Sequence, residues 1–361
     1  MDRLDQTTAS LETEPRRRRP AALRIGVALV ALLAVAAIIA WRLRASHFQW
    51  HAFAAAFKGL KWSWFAFSIF LNFGTYFGRA LRWEVMIRPL RRKPSIRNIF
   101  DATLIGFTAV VLLGRPGELV RPYLIANKER VPFSSQMAVW LLERIFDLLM
   151  VLAIFSFALT RIPPAAVLAH PTLAEVLRTA GWMCGALALV CFALLFTFGK
   201  FPDAARNRLS VALGVVPARF QKGVERFVSS FLEGMRSASR RGYVALISAY
   251  TVCEWILITG TTWSVFKAFP VTARLGVTDV CIFLGFVAFG SIVQIPGIGG
   301  GMQVAGVMAL SELLALPVEP SAAVALVFWF VSFVSIVPAG LALAVHEGVN
   351  WRKLRHLKDE I

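Results

Sequence analysis

Five stretches of the chain, at about 61–87, 135–160, 172–199, 241–268 and 320–346, are apolar over the length of one membrane crossing, about 20 residues at 1.5 Å each. A sixth, from Leu23 to Trp41, is too long and too poorly terminated for a cleaved leader and reads as a retained signal-anchor helix. Backbone in lipid must satisfy its own hydrogen bonds, so these runs are expected as helices and the chain as an all-α, polytopic membrane protein with about six full spans. Composition agrees. With 57% hydrophobic and 17% charged residues and a mean hydropathy of +0.65, the 361 residues leave no length for a separate catalytic domain of ordinary size.

Two apolar stretches, 98–127 and 276–315, do not fit as simple spans. Turn chemistry interrupts each near its middle, "GRPGE" in the first and "PGIGGG" at 296–301 in the second. Glycine and proline open the helical hydrogen-bond ladder, and the freed groups survive at membrane depth only where protein or a wet cavity satisfies them. Both read as broken re-entrant helical hairpins. A span, a broken pair and another span occur at 61–160 and again at 241–346, entering from opposite sides, so an inverted repeat is expected.

Charge sets the orientation. The N-terminus with "PRRRRP", the 88–97 loop "RPLRRKPSIR", the 200–241 segment and the C-terminal "NWRKLRHLKDEI" are the most basic segments and are assigned to the cytoplasm, while the loops left outside hold only Arg161 and Arg274. The 42–61 loop, with Arg42, Arg44, Lys58 and Lys61, fits this rule poorly. Residues 1–20 are expected as a disordered basic cytoplasmic tail, 21–346 as the transmembrane domain and 347–361 as a basic cytoplasmic C-terminal tail. Within the domain, 201–240 reads as a cytoplasmic amphipathic insertion, since Phe220, Val224, Phe227, Phe231 and Met235 recur every three or four residues among Arg219, Lys222, Arg226 and Arg236. Residues 48–60 suit a short helix in the headgroup region.

The formal charge of +18 is the signature of basic loops facing anionic lipid headgroups at the cytoplasmic face, not of nucleic-acid binding. Cys184, Cys191, Cys253 and Cys281 lie in apolar runs without a CxxC pair, so neither disulfide framework nor zinc site is indicated. His47 and His51 share a helix face but lack a third ligand.

The chemistry concentrates at the first break. A charged residue at the centre of a membrane helix costs about 2.5–3.5 kcal/mol, so such residues face a cavity or a partner. Arg115, Glu118 and Arg121 stand at the break beside Gly114 and Gly117. Glu143, Arg144 and Asp147 open the next span, with Glu143 and Asp147 four apart on one face. Arg79, Arg82 and Glu84 lie near the inner end of the preceding span. A helix start after a glycine-rich turn presents free N–H groups, so two guanidiniums there would make a phosphate site. The second break offers Gln294, Gln303 and small residues but no charge, and its glycines do not follow the dinucleotide-binding spacing. Glu254 stands alone in the span "YTVCEWILIT"; Glu312 falls near the expected outer surface.

In order, "RALRWEVMIRPL", "GRPGELVRPYLI", "LLERIFDLL" and "QIPGIGGGMQ" resemble the flippase-like transmembrane domain of lysylphosphatidylglycerol synthases over about residues 20–346. In the full synthase this domain is thought to move aminoacylated phospholipid between leaflets, while a soluble domain makes the product. The resemblance implies the transport part only. Matched by position, it implies functional roles for Gly114, Arg115, Gly117, Glu118, Arg121, Glu143, Arg144 and Asp147, and for Pro296, Gly297 and Gly300. The family often carries an acid soon after the second set of glycines, where this chain has Gln303.

The expected function is therefore translocation of an anionic or phosphate-bearing lipid between leaflets of a bacterial cytoplasmic membrane, with both termini inside. Arg115 and Arg121 would receive the headgroup phosphate, while Glu118, Glu143 and Asp147 hold the arginines or bind a cationic headgroup. The expected partners are a membrane phospholipid or lipid-linked substrate, a lipid-modifying enzyme and a second copy of the chain; no cofactor and no ATP site is expected. The rival readings are a non-enzymatic accessory protein that presents lipid to, or docks, a glycosyl- or aminoacyl-transferase, and a membrane enzyme acting on polyprenyl or hopanoid lipid. No Asp-rich diphosphate motif or nucleophile with a base favours the enzyme.

Overall fold

The computed structural model describes residues 48–161, 175, 178, 179, 181–190, 241–291, 294–295 and 299–348. The expected signal-anchor helix, most of the 172–199 span, the 201–240 insertion, Pro296 and Gly297, and the tails apart from Glu347 and Gly348 lie outside the described residues. By contacts the chain divides into Met1–Trp50 and His51–Ile361, and almost all the described residues belong to the second unit.

Among its described residues the regular elements are helical apart from one two-residue ladder. A short helix α1 (Trp50–Lys58) precedes α2 (Trp62–Ile87), α3 (Ile96–Leu113), a 3-10 turn (Arg115–Leu119), α4 (Val120–Glu129), α5 (Phe133–Thr160) and α6 (Gly181–Val190). Then come α7 (Arg241–Ala268), α8 (Val277–Gly290), strands β1 (Gln294–Ile295) and β2 (Gly299–Gly300), and α9 (Gly301–Met308). A π turn (Ala309–Leu313), α10 (Val318–Trp329), a second π turn (Phe330–Val334) and α11 (Val337–His346) complete it. Among the described residues three helices are long and apolar enough to cross a membrane: Ile96–Leu113, Tyr243–Ala268 and Val318–His346. The expected spans at 61–87 and 135–160 are present as helices of 26 and 28 residues. Polar and charged residues dilute both, Asn72, Arg79 and Arg82 in one and Glu143, Arg144 and Asp147 in the other. Large apolar side chains stand exposed on the outer faces, among them Phe70, Leu148, Ile256, Val304 and Val345, as a lipid-facing surface requires.

Both broken stretches form helical hairpins. α3 is capped at its start by the Ser95 side chain, which accepts from the Asn98 N–H, and stops at Gly114, whose φ of 71° few other residues adopt. Pro116 sits early in the 3-10 turn, and α4 then runs back along α3. Gly117 makes this closure: a Cβ there would lie 2.3 Å from the Ala109 carbonyl oxygen. The second hairpin differs at its tip, where β1 and β2 pair antiparallel with Gln294 opposite Gly300. Its arms α8 and α9 meet at Gly290, where a Cβ would stand 2.4 Å from the Gly301 carbonyl oxygen. Gly300 opens α9 with φ 124°, and the Gln303 side chain accepts from its N–H at 2.7 Å. A glutamine thus serves at 303 as the helix cap, a role that needs an acceptor and no charge.

The longest contact is between α2 and α7, which run antiparallel over their whole length. The Lys61 N–H donates to the Ala268 carbonyl at 2.8 Å at one end, Trp64 and Trp263 meet edge to face, and Arg82 donates to Thr251 towards the other end. The first hairpin packs through α3 on α11 and through α4 on α5; the second packs through α8 on α5 and through α9 on α10. Each hairpin has its own apolar core, one centred on Trp83, Ile99, Ile105 and Ile125, the other on Phe266, Phe269, Phe283 and Leu310.

Closure of the first hairpin is tested at Gly117. Gly117→Ala forces a methyl group into the Ala109 carbonyl and should destabilise the fold by about 1–3 kcal/mol, read as a lower thermal unfolding midpoint in detergent. Gly78→Ala, with nothing within 4 Å of its Cβ, should not lower that midpoint.

Candidate functional site

Along α2 the polar residues Ser68, Asn72, Thr75, Arg79 and Arg82 recur every three or four positions, forming one stripe on a helix that is otherwise aromatic and aliphatic. Burying such a stripe requires partners, and each half of it has them.

At the charged half, the fully buried Arg82 guanidinium joins three helices. Its Nη2 donates to Glu143 Oε1 at 2.7 Å, and its Nη1 donates to Asp147 Oδ1 at 2.7 Å and to Thr251 Oγ1 at 3.1 Å. Glu254 Oε2 lies 3.3 Å from the same Nη1, and Glu254 Oε1 lies 3.0 Å from Arg79 Nη2. Arg121 approaches from α4. Its Nη1 reaches both Glu143 oxygens, at 2.9 and 3.1 Å, its Nη2 donates to the Arg79 carbonyl at 3.1 Å, and its guanidinium lies 4.1 Å from the centre of the Trp83 ring. Trp83 is fixed in turn by donating to Gln136 at 2.9 Å. Three arginines and three carboxylates, Arg79, Arg82 and Arg121 with Glu143, Asp147 and Glu254, thus form one neutral cluster, buried except where Arg79 and Asp147 reach the cavity, the condition under which charges persist in low dielectric.

At the other half, α2 binds the last span where its helix is broken. The π turn at Phe330–Val334 frees carbonyl groups; the Asn72 amide donates to the Val331 carbonyl at 2.6 Å and the Tyr76 hydroxyl to the Ser332 carbonyl at 2.7 Å. Asn72 also donates to Ser335 Oγ at 3.2 Å.

Between these two zones lies a cavity of about 390 Å³, within the range of small-molecule sites. One part of its wall is polar: Asn72, Thr75, Tyr76 and Arg79 of α2, Arg115 and Glu118 at the tip of the first hairpin, and Arg144 and Asp147 of α5. The remainder is largely apolar, with Trp255, Ile258, Leu284, Val287, Phe328 and Phe333. The charged residues of the wall are three arginines and two carboxylates, a surplus of one positive charge. Arg144 and Glu118 form only a loose pair at 3.9 Å, and Arg144 is 40% exposed.

The cavity wall brings together four of the residues expected from sequence, Arg115, Glu118, Arg144 and Asp147. Arg121 and Glu143 are not in it. At 4% and 1% exposure they stand behind the wall, Arg121 being held by Glu143, the Arg79 carbonyl and Trp83. Gly114 and Gly117 shape the first hairpin and Gly300 caps an arm of the second, while Glu312 is exposed on a π turn outside the cavity. Asn72, Thr75 and Tyr76 are not among the residues expected from sequence, although their spacing with Ser68 and Arg79 marks a polar stripe. Among the described residues no group of three or more His, Cys, Asp or Glu residues is placed to hold a metal ion.

Residues 25–340 match the family model described as the lysylphosphatidylglycerol synthase TM region. The chain belongs to that family. No curated protein and no solved structure matches it. Membership in the lysylphosphatidylglycerol synthase TM-region family, together with the three apolar helices of spanning length, makes this a membrane protein with a lipid-related role.

The Arg82 cluster predicts an asymmetric sensitivity. Arg82→Ala leaves Asp147 without its cation, takes one of two cations from each of the buried Glu143 and Glu254 and should cost about 3–5 kcal/mol, whereas Arg97→Ala, at an 85% exposed side chain, should stay within about 0.5 kcal/mol. Thermal unfolding of the two variants in the same detergent checks this.

Proposed function

We propose that the chain is a lipid translocase that moves an anionic, phosphate-bearing lipid between the leaflets of the bacterial cytoplasmic membrane. The observation that carries this reading is the cavity, whose wall joins an arginine-rich polar zone to an apolar one. Arg115 and Arg144 receive the headgroup phosphate as charge-assisted donors, Glu118 orients Arg144 or meets a cationic headgroup, and the acyl chains lie against Trp255, Ile258 and Phe328. Arg121 and Glu143 act indirectly, by holding the cluster against which Arg79 and Asp147 are set. In this reading the chain performs no covalent chemistry.

The proposal includes the inverted repeat of 61–160 and 241–346. Several observations support it. α3 lies on α11 as α8 lies on α5, and α4 lies on α5 as α9 lies on α10, so each hairpin touches both its own half and the last span of the other. The helices α2 and α7, which the repeat would make equivalent, run antiparallel, as an inverted repeat requires of them.

Purified protein in vesicles with a tail-labelled phosphatidylglycerol probe tests the transport reading. Wild type should move the probe faster than empty vesicles, and Arg115→Gln with Arg144→Gln should slow it about tenfold or more, the loss of at least one charge-assisted bond. Movement no faster than in empty vesicles overturns the translocase reading. Topology is tested separately in a cysteine-free background: Val318→Cys and Arg92→Cys, both exposed, should label from opposite sides of the membrane.

A further inference from the structure

Glu254 differs from the other acids of the buried cluster. Glu143 receives hydrogen bonds from Arg82 and Arg121, and Asp147 from Arg82, all at 2.7–3.1 Å. Glu254 is 1% exposed, yet neither of its oxygens receives an aligned hydrogen bond; it has only the ion-pair contacts with Arg79 at 3.0 Å and Arg82 at 3.3 Å. Arg82 is already committed to Glu143 and Asp147, so Arg79 is its main counter-charge. Arg79 is also the member of this pair that lines the cavity. A headgroup phosphate entering there competes with Glu254 for the same guanidinium.

Charge balance then sets the response of Glu254. Without lipid the cluster holds three positive and three negative charges. A bound phosphate adds one negative charge beside it, and an acid left in low dielectric without its cation is neutralised far more cheaply than it is kept charged. The groups that face Glu254 are Arg79, Arg82 and Tyr76 of α2 and Glu143 and Asp147 of α5. α8 and α10, the other helices packed on α7, each carry an acid, Asp279 and Glu319, in their first turns. We propose that translocation, on which this inference rests, is coupled to protons: the headgroup anion draws Arg79 away from Glu254, Glu254 takes up one proton, and lipid anion and proton cross together without net charge. On release the phosphate leaves, Arg79 returns and the proton is lost to the side that received the lipid.

The test uses wild-type protein in vesicles with the phosphatidylglycerol probe, with the membrane potential clamped at zero and the exterior one pH unit more acidic than the interior. One-to-one coupling should enrich the probe about tenfold in the inner leaflet, since one pH unit is equivalent to a factor of ten. An imposed potassium diffusion potential without a pH difference should leave the probe evenly distributed. Protein-dependent movement that responds to the potential and ignores the pH difference overturns the coupling while the translocase reading stands; no movement at all overturns both. Glu254→Gln should move the probe to an even distribution under the same pH difference, and a retained tenfold enrichment in that variant overturns the assignment to Glu254.

Discussion

Everything around the cavity depends on one buried guanidinium. Arg82 binds Glu143 and Asp147 of α5 and touches Thr251 and Glu254 of α7, so one side chain on α2 ties together helices from both halves of the sequence. Without these acids the guanidinium could not be desolvated, and without it two arginines would be left to balance three carboxylates, with Asp147 unpaired. The cluster also orders its neighbours. Arg121 completes the coordination of Glu143, and by doing so brings α4, and with it the first hairpin, against α2 and α5. The tip of that hairpin carries Arg115 and Glu118, so the position of the cavity's charged wall follows from ion pairs formed behind it.

Much of this was legible in the sequence where the chemistry is local. Gly114, Pro116 and Gly117 stop one helix and start another within a few residues, and the glycines at 299–301 do the same in the second hairpin, so both breaks could be read from turn preferences alone. Apolar length likewise forecast the helices at 243–268 and 318–346. The two-residue ladder at the second tip was not forecast, because two paired residues leave no periodicity to detect.

Partner choice was less legible. Sequence placed Arg121 beside Arg115 at the same turn and invited the same role for both. The structure separates them, because α4 turns Arg121 inward under Trp83 while the 3-10 turn leaves Arg115 on the cavity wall. Arg79 and Arg82 pair with Glu254 across a long separation in sequence, and no local pattern encodes that pairing. The stripe from Ser68 to Arg82 was a readable signal all the same, since polar residues at helical spacing in a membrane span need something polar opposite them.

The π turn at Phe330–Val334 gives the last span a property that an unbroken helix would lack. Its upstream half, α10, lies on α9 of the second hairpin, and its downstream half, α11, lies on α3 of the first. A π turn contains one residue more than regular helix, so absorbing or passing on that residue slides and rotates the downstream half by about 1.5 Å and 100° while leaving it helical. The polypeptide that joins the two hairpins is thus a shaft with a joint, and Asn72 and Tyr76 are the pins seated in it.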